Sequence, residues 1–254
     1  MTTLLMLCAL ATAVVAAVRG MWSPCGLSML SSLNPVSESA RGHRFGVTAA
    51  WYVVGAVAGG GVLGIGCAIG AVGFARLELS AEWTWAIALV AAAVAVASDS
   101  ALTRAALPVH PRQVDERWLT TYRRWIYAGG YGVQIGTGFA TYIMTAAVYL
   151  TAVLAVLTGS AATAFLIGLT FGGVRGLGIL VTATTRTPER LRALIARVDH
   201  FGAPSLRLAC AVDAVVGVAA GWFAGGVVLA ALVAGPLIVL VVAPRGWRRV
   251  TAPA

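Results

Sequence analysis

The sequence predicts an all-α protein, a polytopic membrane helical bundle of six or seven spans. Three observations carry this reading. The 254 residues are 59% hydrophobic and 11% charged, whereas a soluble domain carries about 25% charged residues. The polar residues cluster, leaving apolar stretches of roughly the ~20 residues that cross a bilayer. Arginine-rich and arginine-poor loops alternate along the chain, the pattern that the positive-inside rule imposes on a multi-span protein.

The first apolar segment runs from about residue 3 to 33 and is interrupted at Arg19-Gly20 and Pro24. At about 1.5 Å per residue it exceeds a ~30 Å hydrocarbon core. Proline removes a helix hydrogen bond and clashes with the preceding turn, so this segment reads as a broken helix. It lacks a basic start and an A-x-A cleavage site, which suits a retained span rather than a signal peptide. Further spans are expected at about 46–74, 83–103, 127–157 and 161–184. The region 206–243 is too long for one crossing and contains Gly221-Trp222-Phe223-Ala224-Gly225-Gly226, a turn sequence. Dividing it there gives seven spans; leaving it whole gives six.

The arginines follow this division. Arg41 and Arg44 lie in the loop at 37–45, and Arg76 stands against Glu78 and Glu82 in the loop at 75–82. Arg104, Arg112, Arg117, Arg123 and Arg124 fill 104–126, while 158–160 has no charge. Arg186, Arg190, Arg192 and Arg197 fill 185–205, the turn near 224 has none, and Arg245, Arg248 and Arg249 form the tail. The expected placement is a bacterial-type inner membrane, with the N-terminus outside and the C-terminus in the cytoplasm. The net charge of +9 and pI near 10.3 therefore speak for membrane orientation, and no nucleic-acid partner is expected. Two arginine-rich loops are amphipathic. Residues 112–126 place Trp118, Tyr122, Trp125 and Ile126 at near-helical spacing, and 188–201 do so with Leu191, Leu194, Ile195 and Val198. Pro188 suits a first helical turn. Both read as interfacial helices on membrane lipid, with partner docking as the alternative.

The two halves echo each other. Placing Gly20 on Gly130 also places Gly26 on Gly136, and GAVAGG at 55–60 matches GLTFGG at 168–173. The chain then divides into a first repeat half at 1–110, a cytoplasmic amphipathic linker at 111–126 and a second half at 127–254 with an extra C-terminal span. Three spans per half force opposite orientations, which is an inverted three-helix repeat with broken helices, as in many secondary transporters. The glycine segments also suit plain close packing of helices. In inverted repeats the site lies where helices break, which points to Pro24-Cys25 and to 132–138.

Cys8, Cys25, Cys67 and Cys210 all lie in apolar segments, without a CxxC or a Cys/His cluster of zinc spacing. His43, His110 and His200 fall in polar loops and read as solvated. No phosphate-binding glycine loop or cofactor motif is present, so no cofactor is expected. Three charges lie within apolar spans: Arg175, Asp213 and Asp99. Such residues are rare in membranes and mark function by default. Opposite signs make Arg175–Asp213 the expected pair, fixing helix packing or lining a solute or proton path, while Asp99 suits the cytoplasmic interface.

Residues 22–30 read Trp-Ser-Pro-Cys-Gly-Leu-Ser-Met-Leu. Ser23-Pro24-Cys25 with Gly26, Leu27 and Leu30, after a broken apolar helix, resembles the membrane domain of the CcdA/DsbD thiol-disulfide family of cytochrome c biogenesis. The resemblance covers the first ~70 residues best. It implies inverted three-helix repeats, a reactive Cys25 with Pro24 shaping its break, and a thioredoxin-like or other membrane protein as partner. The chain departs from that pattern at two places. Ser28 stands where the family has a second proline, and Val133-Gln134-Ile135-Gly136-Thr137 stands where it repeats Pro-Cys. The two-cysteine relay is thus absent, and the chain leans away from being an enzyme. Cys8 lies 17 residues before Cys25, about 25 Å along a helix, against the ~7 Å that a disulfide allows; Cys67 and Cys210 stay open. Thiol chemistry runs through the thiolate, which an apolar surround disfavours and a helix N-terminus or a nearby arginine favours; the N-terminus at Pro24 and Arg19 are the candidates, and the sequence places neither.

For Cys25 three readings stand: an inert packed residue, a redox thiol, or a soft-metal or solute contact. The expected function is thiol-redox transfer or cytochrome c maturation in a non-standard form. The alternatives are a small-solute or soft-metal transporter on the same scaffold and a non-catalytic membrane assembly subunit.

Overall fold

The computed structural model describes residues 2–100 and 117–242. Among these the chain is helical throughout, without strands, and the protein is a helical membrane bundle as its composition requires. Residues 111–116 of the expected linker at 111–126 fall outside the described residues, as do His110, the end of the 83–103 span and the arginines of the tail.

Helix α1 (Thr2–Arg19) ends in a 3-10 turn at Gly20–Trp22, and α2 starts afresh at Pro24 (Pro24–Ser32). Ser23 is the reason for the restart: it is extended (φ −69°, ψ 154°), its side chain accepts from the Gly26 N–H, and Pro24 fills the first helical position. A serine cap followed by proline is a strong helix start, because proline lacks the N–H that would go unpaired there. The chain repeats the device twice. Asn34 caps α3 (Pro35–Ala40), and Thr187 caps α10 (Pro188–His200).

Between them run α4 (Phe45–Ala75), α5 (Ala81–Asp99), the short α6 (Trp118–Thr121), α7 (Arg124–Thr137), α8 (Ala147–Leu157) and α9 (Ala161–Leu177), which tightens into a 3-10 turn at Gly178–Thr182. The last element is α11 (Gly202–Val242). Among the described residues, five segments are long and apolar enough to cross a membrane alone: Thr3–Trp22, Phe45–Ala75, Ala81–Asp99, Ala161–Thr182 and Gly202–Pro236. The large side chains facing outward are apolar, Ile69, Val215 and Val228 among the most exposed, as a lipid-facing surface demands.

Two expectations about spans are revised or refined. The region 127–157 is not one helix. It divides into α7 and α8 around irregular backbone at 138–146, where Gly138 takes φ +76°. Residues 132–137 are still helical, so the break of the second half lies just beyond the segment that glycine matching selected. The expected division of 206–243 is present. Gly225 and Gly226 leave helical geometry inside α11, and a Cβ on Gly221 would stand 3.3 Å from the Ala230 Cα. Nine residues of straight helix would separate these positions by about 13 Å, so the chain turns back on itself.

Helix α4 is the spine, packed by α9 and α7. Gly55, Gly59, Gly60 and Gly64 of this helix lie against neighbouring backbone. A Cβ on Gly60 would lie 2.4 Å from the Gly168 oxygen, and one on Gly55 would lie 2.1 Å from the Gly129 oxygen. The GAVAGG and GLTFGG segments thus serve close helix packing. One core cluster joins α1, α4, α5, α8 and α9 through residues such as Ala13, Cys67, Trp85, Leu154 and Phe171. A second surrounds the first break: Cys25, Met29, Leu30, Tyr52, Tyr131 and Ile135.

Candidate functional site: a broken helix against a buried arginine

Cys25 occupies the second position of α2, one residue after Pro24, and is 1% exposed. Its carbonyl accepts from the Tyr131 hydroxyl at 3.2 Å, and the same hydroxyl contacts the Ser28 Oγ at 2.9 Å. Tyr131 belongs to α7, so α7 meets α2 at the break. The Ser23 Oγ donates to the Gly20 carbonyl at 2.7 Å while accepting from Gly26 at 3.0 Å. Gly26 is required here, since a Cβ would fall 2.4 Å from the Met21 oxygen and 2.7 Å from the Gly20 oxygen. The motif Ser23-Pro24-Cys25-Gly26 is therefore a tightly wound helix start.

Arg175, near the end of α9, points into this break. It is 4% exposed. A Cβ on Gly20 would stand 2.7 Å from its Cζ, and its guanidinium lies 5.7 Å from the centre of the Phe171 ring. Its electrostatic neighbours are Tyr52 and Cys25. The Nε and Nη2 atoms are buried without a hydrogen-bond partner, and so is the Tyr52 hydroxyl. A guanidinium cannot shed its proton in a protein, so this is a standing positive charge beside a thiol and a helix N-terminus.

The expected Arg175–Asp213 pair does not form. Among the described residues, the ion pairs are Arg41–Glu38 and His43–Glu38. Asp213 is fully buried on α11, neither carboxyl oxygen has a partner, and its charged neighbour is Asp99. Matching opposite signs by sequence ignored that α9 presents its arginine to α1 and α4 while α11 packs on α5. Asp99 does more than reach an interface: it accepts from the Thr145 hydroxyl and, at 2.7 Å, from the Ala146 N–H, holding the start of α8 to the end of α5. Arg19, which the sequence alone did not place, donates through Nη1 to the Gly202 carbonyl at 3.2 Å and the Ser205 Oγ at 3.0 Å. The arginine at Cys25 is Arg175.

All four cysteines remain thiols. Cys67 lies 15 residues beyond Tyr52 on α4, about 22 Å along the helix, and in a different core cluster from Cys25. It is too far to be the partner of a disulfide.

A third polar centre had no reading from sequence. Glu38 is fully buried at the end of α3. It accepts from the Thr48 hydroxyl, from Arg41 Nη1 at 2.7 Å and from the Tyr127 hydroxyl at 3.0 and 3.2 Å. His43, expected to be solvated, contacts the Tyr127 hydroxyl at 3.1 Å. The available signals were the Asn34-Pro35 helix start and the Glu38–Arg41 spacing of one turn. Nearby, the Trp22 indole donates to the Val198 carbonyl at 2.7 Å, which ties amphipathic α10 to the break. The apolar face of α10 is thus turned toward protein at Leu194 and Val198. A cavity of about 150 Å³ lies away from the break, lined by Leu5, Phe74, Thr84, Trp85 and Leu157.

Fold and site together define the class: a helical membrane protein whose first span is broken at a thiol and sealed by a buried arginine. No family model matches the chain, and no solved structure does. Known proteins do. The chain is 32% identical over 193 residues to methylamine utilization protein MauF of Paracoccus denitrificans, across 74% of this chain and 68% of that one. MauF of Paracoccus versutus is 29% identical over 182 residues, and MauF of Methylorubrum extorquens is 33% identical over 168. The aligned parts cover 65% and 56% of those two proteins. The chain belongs to the MauF family. Its named relatives are bacterial methylamine utilization proteins.

Proposed function

We propose that this chain serves methylamine utilization as an accessory protein of the bacterial inner membrane, with its N-terminus outside and its C-terminus in the cytoplasm. Its working part is the broken first span, with Cys25 as a single thiol in place of the two-cysteine relay of CcdA and DsbD. The observation that carries this reading is the Arg175 guanidinium seated against Gly20, with Cys25 as its electrostatic neighbour and no carboxylate paired to it among the described residues. A positive charge and a helix N-terminus are the surroundings in which cysteines react. The partner for such a thiol is a thioredoxin-like or other membrane protein, as the CcdA/DsbD resemblance implies.

The test is complementation. In a strain lacking this chain, Cys25→Ser and Cys25→Ala are expected to abolish growth on methylamine at normal protein levels, and Cys25 alkylation is expected to depend on redox state. Wild-type growth of both variants would remove the thiol from the function.

One observation favours a second reading, passage of a small solute. Asp213 holds two unpartnered oxygens at membrane depth beside Asp99, and such a group marks a path by default. That reading expects flux in proteoliposomes that Asp213→Asn stops.

A further inference from the structure

We infer that the break holds a site for one small carboxylate, gripped by the side edge of the Arg175 guanidinium with the Tyr52 hydroxyl as a further donor. The inference concerns the same centre as the proposed function but does not require chemistry at Cys25. It starts from which nitrogens of Arg175 are unused. Nε and Nη2 are both buried and without partners. These two carry the parallel N–H bonds of the guanidinium's side edge, the pair that grips both oxygens of a carboxylate at once. The remaining surroundings are occupied: the Gly20 Cα side crowds Cζ, Nε and Nη1, and the Phe171 ring lies 5.7 Å from Cζ. The two nitrogens of the carboxylate-gripping edge are thus the ones buried without a hydrogen-bond partner.

Energetics point the same way. Buried polar groups are almost always hydrogen-bonded, and a buried ion without a partner is costlier than a neutral group. A carboxylate in this position could take up a proton and become neutral; an arginine cannot. Arg175 therefore needs a counter-anion, and the structure offers no acid for it among the described residues. Tyr52 is a second buried donor without a partner, 0% exposed, and an electrostatic neighbour of Arg175. Its ring sits beside that of Tyr131, 6.3 Å between centroids, and Tyr131 is tied to the Cys25 carbonyl. Two buried donors without partners therefore belong to the surroundings of the break. Gly20 keeps the ground clear, since any side chain there would collide with the guanidinium.

A monovalent planar anion of two oxygens matches this set in charge, shape and donor count. Formate and acetate are the smallest carboxylates that present it. A tetrahedral dianion would bring a second charge for which the described residues show no second free cation.

The test uses the full chain purified in a nonionic maltoside. Formate and acetate are titrated at constant ionic strength, with sulfate as the control, and the thermal midpoint is followed. Ligand that binds only the folded state raises the midpoint with concentration. The expected result is a rise with formate and acetate beyond that with sulfate, kept in Cys25→Ser and lost in Arg175→Gln. Should Arg175→Gln not fold, Arg175→Lys keeps the charge but loses the fork, and binding is expected to weaken by about tenfold or more. No carboxylate-specific rise in the wild type, or equal binding by Arg175→Lys, would overturn the site. Loss of binding in Cys25→Ser would overturn it too, by placing the ligand on sulfur. Carboxylate binding by Cys25→Ser, together with idle Cys25 variants in the growth assay, would retain this site while removing the thiol reading.

Discussion

Gly20 lies flush against the guanidinium of Arg175: a Cβ at residue 20 would stand 2.7 Å from Cζ and 3.0 Å from Nε and Nη1. A turn that breaks α1 and an arginine near the end of α9 thus fit each other atom by atom, although 155 positions of sequence separate them. Replacing Gly20 by alanine should overpack this contact and cost about 1–3 kcal/mol. The low end applies because the far tip of a side chain gives way before backbone does. Thermal unfolding of the purified variant measures it, and an unaltered midpoint would show that the guanidinium is not held there.

The glycine seam is less forgiving. At Gly168 a Cβ would meet the Gly64 backbone at 2.4 Å, and neither helix can retreat without opening the α4–α9 contact. Gly168→Ala is expected to cost about 3 kcal/mol or more, beyond the usual range for a surface change. Gly66, on the same helix α4, has nothing within 4 Å, so Gly66→Ala should be neutral or stabilising by up to about 1 kcal/mol. Comparing monodisperse yield and midpoint of the two variants checks the seam against helix propensity alone.

Ser23→Ala removes the cap of α2. The lost bond leaves the Gly26 N–H unpaired in a fully buried place, so the cost should sit near the upper end of the ~0.5–2 kcal/mol typical of caps. Ser23→Thr keeps the oxygen and should recover most of it. Equal stability of the alanine and threonine variants would mean that Pro24 alone sets the helix start.

Two buried acids should behave in opposite ways. Glu38 accepts from Thr48, Arg41 and Tyr127, and Glu38→Ala strands those donors at a cost of about 3–5 kcal/mol. Asp213 satisfies no donor, so Asp213→Asn removes a burden and should leave the midpoint unchanged or raised. Denaturation of both variants under the same conditions decides; a large loss in Asp213→Asn would reveal a partner for it in the folded protein.

Acid should loosen α10 from its first turn. Glu189 is held below the usual carboxylate range by its own backbone N–H, by the Thr187 hydroxyl and by Arg192. A lowered folded-state value means that the favourable contribution is complete above the unfolded value, about pH 4.3, and fades as pH falls through the folded one. Amide exchange across 188–200 should quicken over that window in the wild type and not in Glu189→Gln.

Much of the architecture was readable because the signals were local. The break at Ser23-Pro24 needs only a cap and a ring that lacks an N–H. The amphipathic α10 and the turn at Gly225-Gly226 follow from periodicity and from glycine in the same way. The charge partners were not readable. Asp213 and Arg175 differ in sign and lie on neighbouring spans, but partner choice depends on which faces of α9 and α11 turn inward, and strongly apolar helices give that periodicity only faintly. Glu38 was hidden for a related reason: in sequence it lies among loop residues, and only the return of α7 brings Tyr127 over it. The break at 138–146 came out shifted because Gly129, Gly132 and Gly136 serve contact with α4 and Gly130 meets Trp118, so none of them makes the interruption itself.

The seat that Gly20 offers to Arg175 also bears on how the polypeptide is made. An arginine in a lone transmembrane helix is penalised on insertion, by about 2.5–3.5 kcal/mol at the helix centre and by less toward an end. Helix α9 carries that charge, yet the groove that receives it comes from α1 and α4, which leave the ribosome first. Synthesis therefore runs from host to guest: the dock stands ready in the bilayer before the cation arrives. A fragment that begins after residue 117 would bring the same charge to a membrane with nowhere to place it.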